Sequence, residues 1–402
     1  MKIGIIREGK NPPDSRVPLV PQQCAALIKK GIDLVVESSP IRCFKDEEYS
    51  TLGVPVVMDV SDCDVLLGVK EVPIDQLIAN KNYLFFSHTF KEQPYNRKLL
   101  QAILAKNISL MDYEVLTDEK GQRVIAFGYF AGMVGAYNGL IAYGKRTRRF
   151  NLKRMYQCYD YAEAKAAFEY IDFPPIKIVV TGTGRVASGA VQVLKDMGIP
   201  QVSPANFLKT KVFGNIVFTQ LACEDYAARK DGRKFELNHF FQHPAEYKNI
   251  FQPYTKVADM MINGIYWDNQ APVFFTKSDM KADDFTIKVI ADVTCDIAPD
   301  SSIPSTLKPT VIPNPVFGYD PFTESEIEPY QAHSIDMMTI DNLPNEMPRD
   351  ASEAFGQQFI DCVLEDLLAP KKGGVIERGR MTKDGELTER FSYLTDYISK
   401  KS

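Results

Sequence analysis

One stretch constrains this chain more than any other: Lys177-Ile-Val-Val-Thr-Gly-Thr-Gly-Arg-Val-Ala-Ser-Gly-Ala190, running on to Gly198. The β-branched run from Ile178 to Thr181 reads as a short buried strand. The apolar spacing from Val186 to Met197 reads as a helix that Gly198 ends. Between them stands the pattern G-x-G-x-x-A, with Gly182, Gly184 and Ala187. The first glycine permits a tight turn, the second lets the backbone approach a pyrophosphate, and Ala187 lets the helix pack closely on the strand. The helix N-terminus then offers unpaired N–H groups and a positive dipole end to phosphates. A glycine pair alone is a weak signal, because such pairs occur in many loops. The strand before it and the helix after it give the context of a dinucleotide site.

The rest of the chain alternates in the same manner. Strands are expected over residues 2–7, 33–37, 65–71, 83–90 and 108–114, with helices over 21–30 and 97–106 and a helical stretch from Asp46. Such βαβα order implies a parallel sheet with helices on both faces, and ligands bind at the carboxyl ends of its strands. A small-residue, apolar segment over 130–149 reads as one long helix leaving the first domain. Later strands are expected over 257–262 and 287–293. Residues 215–255, mixed in charge and aromatics, read as decoration, and 299–329 as proline-rich loop and crossover. Asp350 reads as the cap of a helix through Leu368. The expected fold class is α/β: two Rossmann-like domains with parallel sheets flanking a cleft. The substrate and catalytic domain takes 1–135 plus about 335–402, and the dinucleotide domain 136–334.

At 402 residues and 45% hydrophobic, the chain can fill two or three sizeable cores. A net charge of −5 excludes the global basic field of a nucleic-acid binder. Seven cysteines are scattered without a C-x-x-C pair, which fits a reducing compartment and argues against a disulfide framework or a metal site. The start enters a strand with no signal-peptide pattern, and no apolar run reaches the roughly 18 residues of a membrane span. These features point to a cytoplasmic protein with no membrane or nucleic-acid partner, and leave a homo-oligomer open.

Several residues at or just past strand ends could carry chemistry. Lys70 follows the apolar run Val65 to Val69, and burial lowers a lysine pKa toward catalytic use; the alternative is a strand-end lysine reaching solvent. His88 closes another apolar strand and suits proton transfer near neutrality, or else is a structural hydrogen-bonder. Arg16, Lys91 and Arg123 are candidates for gripping carboxylates. Glu8, Glu114 and Asp341 could hold an ammonium or tune Lys70, or be plain salt-bridge partners.

Gly68-Val-Lys-Glu71, Phe86-Ser-His-Thr-Phe-Lys91, Asp112-Tyr-Glu114 and Arg123-Val-Ile-Ala-Phe-Gly128 occur in an order that resembles the lysine-forming saccharopine dehydrogenases. These sit within the wider alanine dehydrogenase and transhydrogenase-like group. Thr181-Gly-Thr-Gly184, His243-Pro-Ala-Glu-Tyr247, Ile262-Asn-Gly-Ile-Tyr-Trp267 and the run from Ser334 to Pro344 resemble the lysine–ketoglutarate reductase half of the bifunctional aminoadipic semialdehyde synthases. The resemblance covers nearly the whole chain and implies that the saccharopine-oxidising half lies outside it. It implies an oxidoreductase that condenses L-lysine with 2-oxoglutarate and reduces the product to saccharopine. Lys70 and His88 are then the acid–base pair, and Arg16, Lys91, Glu114, Arg123 and Asp341 correspond to substrate contacts, with Glu8 a further substrate-binding candidate from its strand-end place alone. Val186 stands where fungal members carry a cysteine, which puts redox regulation through that thiol in doubt.

The candidate coenzyme contacts are Gly182, Thr183, Gly184, Arg185 and Val186 in the loop, with Asn263, Ile265 and Asp292 at later strand ends. In NAD-specific sites an acid about 20 residues beyond the glycines meets the ribose. Counting on from Gly184 reaches Lys209 and Lys211 instead, which favours NADP(H), with NAD(H) the alternative. The other reading is a solvated loop there, with Glu224 or another acid at the ribose. The resemblance points the same two ways, the animal reductase half preferring NADPH and the fungal enzyme using NAD. Two rival functions are an alanine or other amino-acid dehydrogenase on the same scaffold, and an NAD(P)-binding regulator without turnover.

Overall fold

Six short strands build the first sheet: β1 (Lys2–Ile5), β2 (Asp33–Glu37), β3 (Val56–Val57), β4 (Val65–Leu67), β5 (Asn82–Phe85) and β6 (Ser109–Asp112). Their order is β3-β2-β1-β4-β5-β6, and every pair is parallel. All three residues of β4 are buried, as expected of a central strand covered on both faces. The helices Pro21–Lys29 and Arg97–Ala105 supply cover, the latter burying Leu99, Leu100 and Ile103 at helical spacing. In this computed structural model, which describes residues 1–400, the sheet belongs to a unit made of residues 1–127 and the chain from Pro348 onward.

The second unit spans residues 128–347. Its sheet contains β7 (Lys177–Thr181), β8 (Val217–Leu221), β11 (Met260–Asn263), β12 (Val289–Asp292), β13 (Val316–Asp320), β14 (Ser325–Ile327) and β15 (Ile335–Met338). A separate small hairpin is formed by β9 (Ala227–Arg229) and β10 (Tyr247–Asn249). The sheet order is β14-β13-β15-β12-β11-β7-β8. It is parallel except that β13 runs antiparallel to both β14 and β15. The stretch 299–329, expected as loop and crossover, therefore contains a hairpin. Asp320 closes its turn, accepting the Phe322 N–H at 2.9 Å on its side chain and the Glu324 N–H at 2.8 Å on its carbonyl. The stretch 215–255 is likewise only partly decoration, because β8 pairs along its whole length with β7.

The long helix Gly128–Thr147 belongs to the second unit from its first residue, so the unit starts ahead of the expected boundary at 135/136. Backbone contact with the helix Arg185–Asp196 explains this. A Cβ on Gly132 would lie 1.7 Å from the Val186 carbonyl oxygen, and one on Gly189 1.8 Å from the Tyr129 carbonyl oxygen. Only paired glycines let the two helices touch at that distance. At the other boundary, Glu346 is fully buried and bonded by Asn138 and Arg154, which ties the segment before Pro348 into the second core.

Candidate functional site

In the first unit the chemistry gathers where the theory of parallel sheets places it, past the carboxyl ends of β1, β4, β5 and β6. Glu8, beyond β1, is buried and accepts the N–H groups of Val69 at 2.6 Å and Lys70 at 2.9 Å. That clamp fixes the backbone from which Lys70 projects. Lys70 itself is half-buried, and no hydrogen bond or ion pair engages its ammonium among the described residues. Burial first, and the Arg16 charge second, push its pKa below the usual lysine value.

His88 follows β5 in a left-handed conformation, φ 54°, unusual for a residue with a side chain. Its Nδ1 meets Glu71 Oε1 at 2.6 Å, while Lys10 Nζ donates to Glu71 Oε2 at 2.7 Å. Burial would raise Glu71, yet the bonds from His88 and Lys10 outweigh it and hold the carboxyl at about 2. An anionic Glu71 keeps the proton on Nδ1 and leaves Nε2 as the proton-accepting nitrogen. Since Glu71 is the chain neighbour of Lys70, one acidic residue links the two proton-transfer candidates.

Asp112 joins the ends of β5 and β6, accepting the Ser87 N–H at 2.9 Å and the Glu114 N–H at 2.7 Å. Glu114 Oε1 pairs with Lys91 Nζ at 2.9 Å and Arg123 Nη1 at 3.5 Å, whereas its buried Oε2 has no hydrogen-bond partner among the described residues. Arg123 also lies over the Phe86 ring, 5.2 Å from its centroid. Arg16 is buried against Phe127 and forks onto Asp14, with Nε at 2.9 Å and Nη2 at 2.6 Å. Glu8, Lys70, His88, Lys91, Glu114, Arg16 and Arg123 thus all belong to this unit. Asp341 is exposed and lies in the second unit, after β15. The sequence reading gave no role to Glu71, Lys10 or Asp112; the acid directly after Lys70 was the one available signal.

Burial raises Glu8 from 4.5 to about 8, with the nearby Asp14 charge adding to it. A carboxyl that ionises later in the folded than in the unfolded chain contributes its full stability below pH 4.5 and loses it as pH rises toward 8. Unfolding free energy should therefore fall across that window in urea titrations. Glu8→Gln should flatten the fall, and an unchanged slope would remove Glu8 as its source.

In the second unit the glycine pattern forms the expected strand, turn and helix. Gly182 has φ 97°, and a Cβ there would sit 2.9 Å from the Gly264 carbonyl oxygen. A Cβ on Gly184 would meet no atom within 4 Å, so the space over the helix N-terminus is open. Thr183, Gly184 and Arg185 are exposed around it, and Val186 is half-buried. This cradle suits a pyrophosphate. Asn263 and Asp292, expected as coenzyme contacts, have buried side chains committed to each other. Asn263 donates to Asp292 and to Ser302, each at 3.0 Å, and accepts from Thr181 at 2.8 Å. Asp292 also accepts from Thr294 at 2.7 Å and Thr306 at 2.6 Å. They lock the strand ends together.

The segment that carries Lys209 and Lys211 lies at the amino end of the sheet. The ammonium of Lys177, the first residue of β7, donates to the carbonyls of Phe207 at 2.6 Å and Thr210 at 2.9 Å. That segment is held at the amino end of the sheet, roughly 15 Å of strand away from the glycine turn. The strand beside β7 is β8, whose carboxyl end opens onto Ala222-Cys-Glu-Asp225. Asp225 caps the Ala222 N–H at 2.8 Å. Glu224 is exposed, and its carboxylate has no hydrogen bond or ion pair among the described residues. A cavity of about 240 Å³ nearby in sequence is lined by Tyr226, Phe240, Ile265, Trp267 and Phe274.

Residues 4–134 match the family described as alanine dehydrogenase/PNT, N-terminal domain. The α-aminoadipic semialdehyde synthase of Arabidopsis thaliana is 29% identical over 98% of this chain and 41% of its own length. The mitochondrial enzyme of that name from Mus musculus is 28% identical over 96% of this chain and 47% of its own. The saccharopine dehydrogenase [NAD(+), L-lysine-forming] of Yarrowia lipolytica is 25% identical over 90% of this chain and 91% of its own. The chain resembles lysine-forming saccharopine dehydrogenases. It spans less than half the length of the aminoadipic semialdehyde synthases it matches. Among solved structures, an L-alanine dehydrogenase matches with TM-score 0.67 at 16% identity, covering 99% of this chain and all of that one. A transhydrogenase from Sinorhizobium meliloti matches with TM-score 0.57 at 14% identity over 96% of this chain and all of that one. These two establish an alanine dehydrogenase-like Rossmann architecture. Among the described residues no helix is long and apolar enough to cross a membrane.

Proposed function

We propose that this chain is a nicotinamide-dependent dehydrogenase acting on an amino-acid C–N bond, and that its reaction is the reductive joining of L-lysine and 2-oxoglutarate to saccharopine. The carrying observation is the strand-end group in which Glu71 connects Lys70 and His88 beside the mixed cluster Lys91, Glu114 and Arg123. Joining an amine to a ketone requires a proton to leave the ammonium, the carbinolamine to form, and water to depart from it. Lys70, with its lowered pKa, and His88, with Nδ1 held by Glu71, are suited to take and return those protons. Lys91 and Arg123 offer cations for carboxylates, and the unpartnered Oε2 of Glu114 offers an acceptor for an ammonium. A bound nicotinamide supplies the hydride for the imine carbon. The coenzyme loop would be Gly182, Thr183, Gly184, Arg185 and Val186, with the apolar wall at Ile265 suited to adenine. An assay of NADH and NADPH oxidation with lysine plus 2-oxoglutarate, against pyruvate plus ammonia, tests the reading. Turnover of pyruvate and ammonia alone would replace it with alanine dehydrogenase activity, and coenzyme binding without turnover of any substrate would leave a regulator.

The coenzyme proposed is NAD(H). NADP(H) preference rested on the resemblance to the animal reductase half and on Lys209 and Lys211, which the fold holds at the opposite end of β7. Glu224, at the carboxyl end of the neighbouring strand, would accept the two ribose hydroxyls and repel a 2′-phosphate. We expect kcat/KM to be higher with NADH, and Glu224→Gln to narrow the preference by about tenfold or more. A higher kcat/KM with NADPH in the parent protein would reverse the assignment.

A further inference from the structure

The chain beyond residue 370 folds a cavity of about 580 Å³ into the first unit, and none of its lining residues belongs to the sites above. Six cations face it, Lys371, Lys372, Arg378, Arg380, Lys383 and Arg390, against two acids, Glu377 and Glu389. Two of the cations are already committed. Lys371 pairs with Glu365 at 2.7 Å, and Arg378 donates to the Thr117 carbonyl from Nε at 2.9 Å and from Nη2 at 2.5 Å. Of the two acids, Glu377 accepts the Gly373 N–H.

The other four cations have no carboxylate within ion-pair distance among the described residues. Lys372, Lys383 and Arg390 are exposed. Arg380 is the informative one. It is half-buried, its backbone bridges to Met111, and the hydrogen bond of its guanidinium goes to the neutral Ser109 hydroxyl at 3.1 Å. Asp384 and Glu377 act on it at a distance without forming an ion pair, so this partly desolvated guanidinium still favours an anion that completes it. Its planar fork matches a phosphate or carboxylate in a bidentate fashion. The volume is that of a small-molecule site.

We propose that this cavity binds a small anion carrying two or more phosphate or carboxylate groups, held by Arg380 together with Lys372, Lys383 and Arg390. The ligand need not enter the reaction, so the site would be a regulatory or anchoring one. Isothermal titration calorimetry of the full chain with pyrophosphate, ADP and citrate, at low and at physiological ionic strength, tests it. Saturable binding is expected for at least one of the three, weakening with salt. Pyrophosphate or ADP binding that the variants below weaken assigns phosphate chemistry to this cavity, whereas binding they leave unchanged belongs to the glycine cradle; binding of citrate alone assigns carboxylates. Lys383→Glu/Arg390→Glu should weaken that binding about tenfold or more, while coenzyme binding followed by NADH fluorescence stays unchanged. Should that variant fold poorly, Lys372→Gln/Lys383→Gln, at two exposed positions, should weaken binding in the same direction. Absence of saturable binding by all three anions, or equal affinity in the variants, would overturn the proposal.

Discussion

Lys70→Met should lower kcat by about 10²–10⁴-fold in the lysine plus 2-oxoglutarate assay, with little change in the melting temperature. The Lys70 ammonium is half-buried, unpaired among the described residues and lowered in pKa by that burial. Removing a half-buried ammonium that forms no ion pair among the described residues does not take away a stabilising contact, so the fold should tolerate methionine of similar length. Catalysis should not, because an acid–base group acts mainly in the transition state. His88→Gln should behave alike, keeping a hydrogen bond to Glu71 while losing the titratable nitrogen. Each variant should also lose one limb of the kcat/KM pH profile. Wild-type kcat with an unaltered profile in both would return the two residues to structural roles. A fall in kcat that tracks a fall in melting temperature would point the same way.

Gly189→Val should destabilise the second unit by about 3 kcal/mol or more, lowering its melting temperature by roughly 6–12 °C. Its first added carbon would lie 1.8 Å from the Tyr129 carbonyl oxygen and 3.0 Å from the Met133 nitrogen, both backbone atoms that cannot rotate away. The helix Arg185–Asp196 would have to withdraw from Gly128–Thr147, opening a core that contains Val193, Leu194 and Leu140. Since Gly184 caps the same helix, coenzyme affinity should fall with stability. Gly198→Ala is the control, because that glycine at φ 71° ends the helix with nothing near its missing Cβ. It should incur only the modest penalty of a left-handed turn, about 1 kcal/mol. Equal melting temperatures for Gly189→Val and the parent protein, by calorimetry, would refute the close-contact account.

What could be read without coordinates was what short-range pattern encodes. The dinucleotide turn is legible because strand, glycines and helix lie within about 20 consecutive residues and each makes its own demand on residue type. Lys70, His88 and Glu114 were legible as the polar residues that follow apolar strands directly. What was not legible depends on which segments become neighbours. Glu71 meets His88, Glu8 caps Val69, and Asp112 holds Ser87 through hydrogen bonds between different strands, and no spacing rule points to them. The count from Gly184 led to lysines at the amino end of the sheet for the same reason. The insertion that carries Pro204–Lys209 postpones β8 to Val217, and a lysine at the amino end of β7 pins that insertion to the far end of the sheet. Sequence by itself determined the α/β class, the glycine turn and the strand-end candidates, since hydrophobic period and glycine conformation are local properties. Tertiary structure alone decided that Glu224, rather than Lys209 or Lys211, lies at the carboxyl edge of the sheet, because strand order is set by pairing between distant segments and is not a function of distance along the chain.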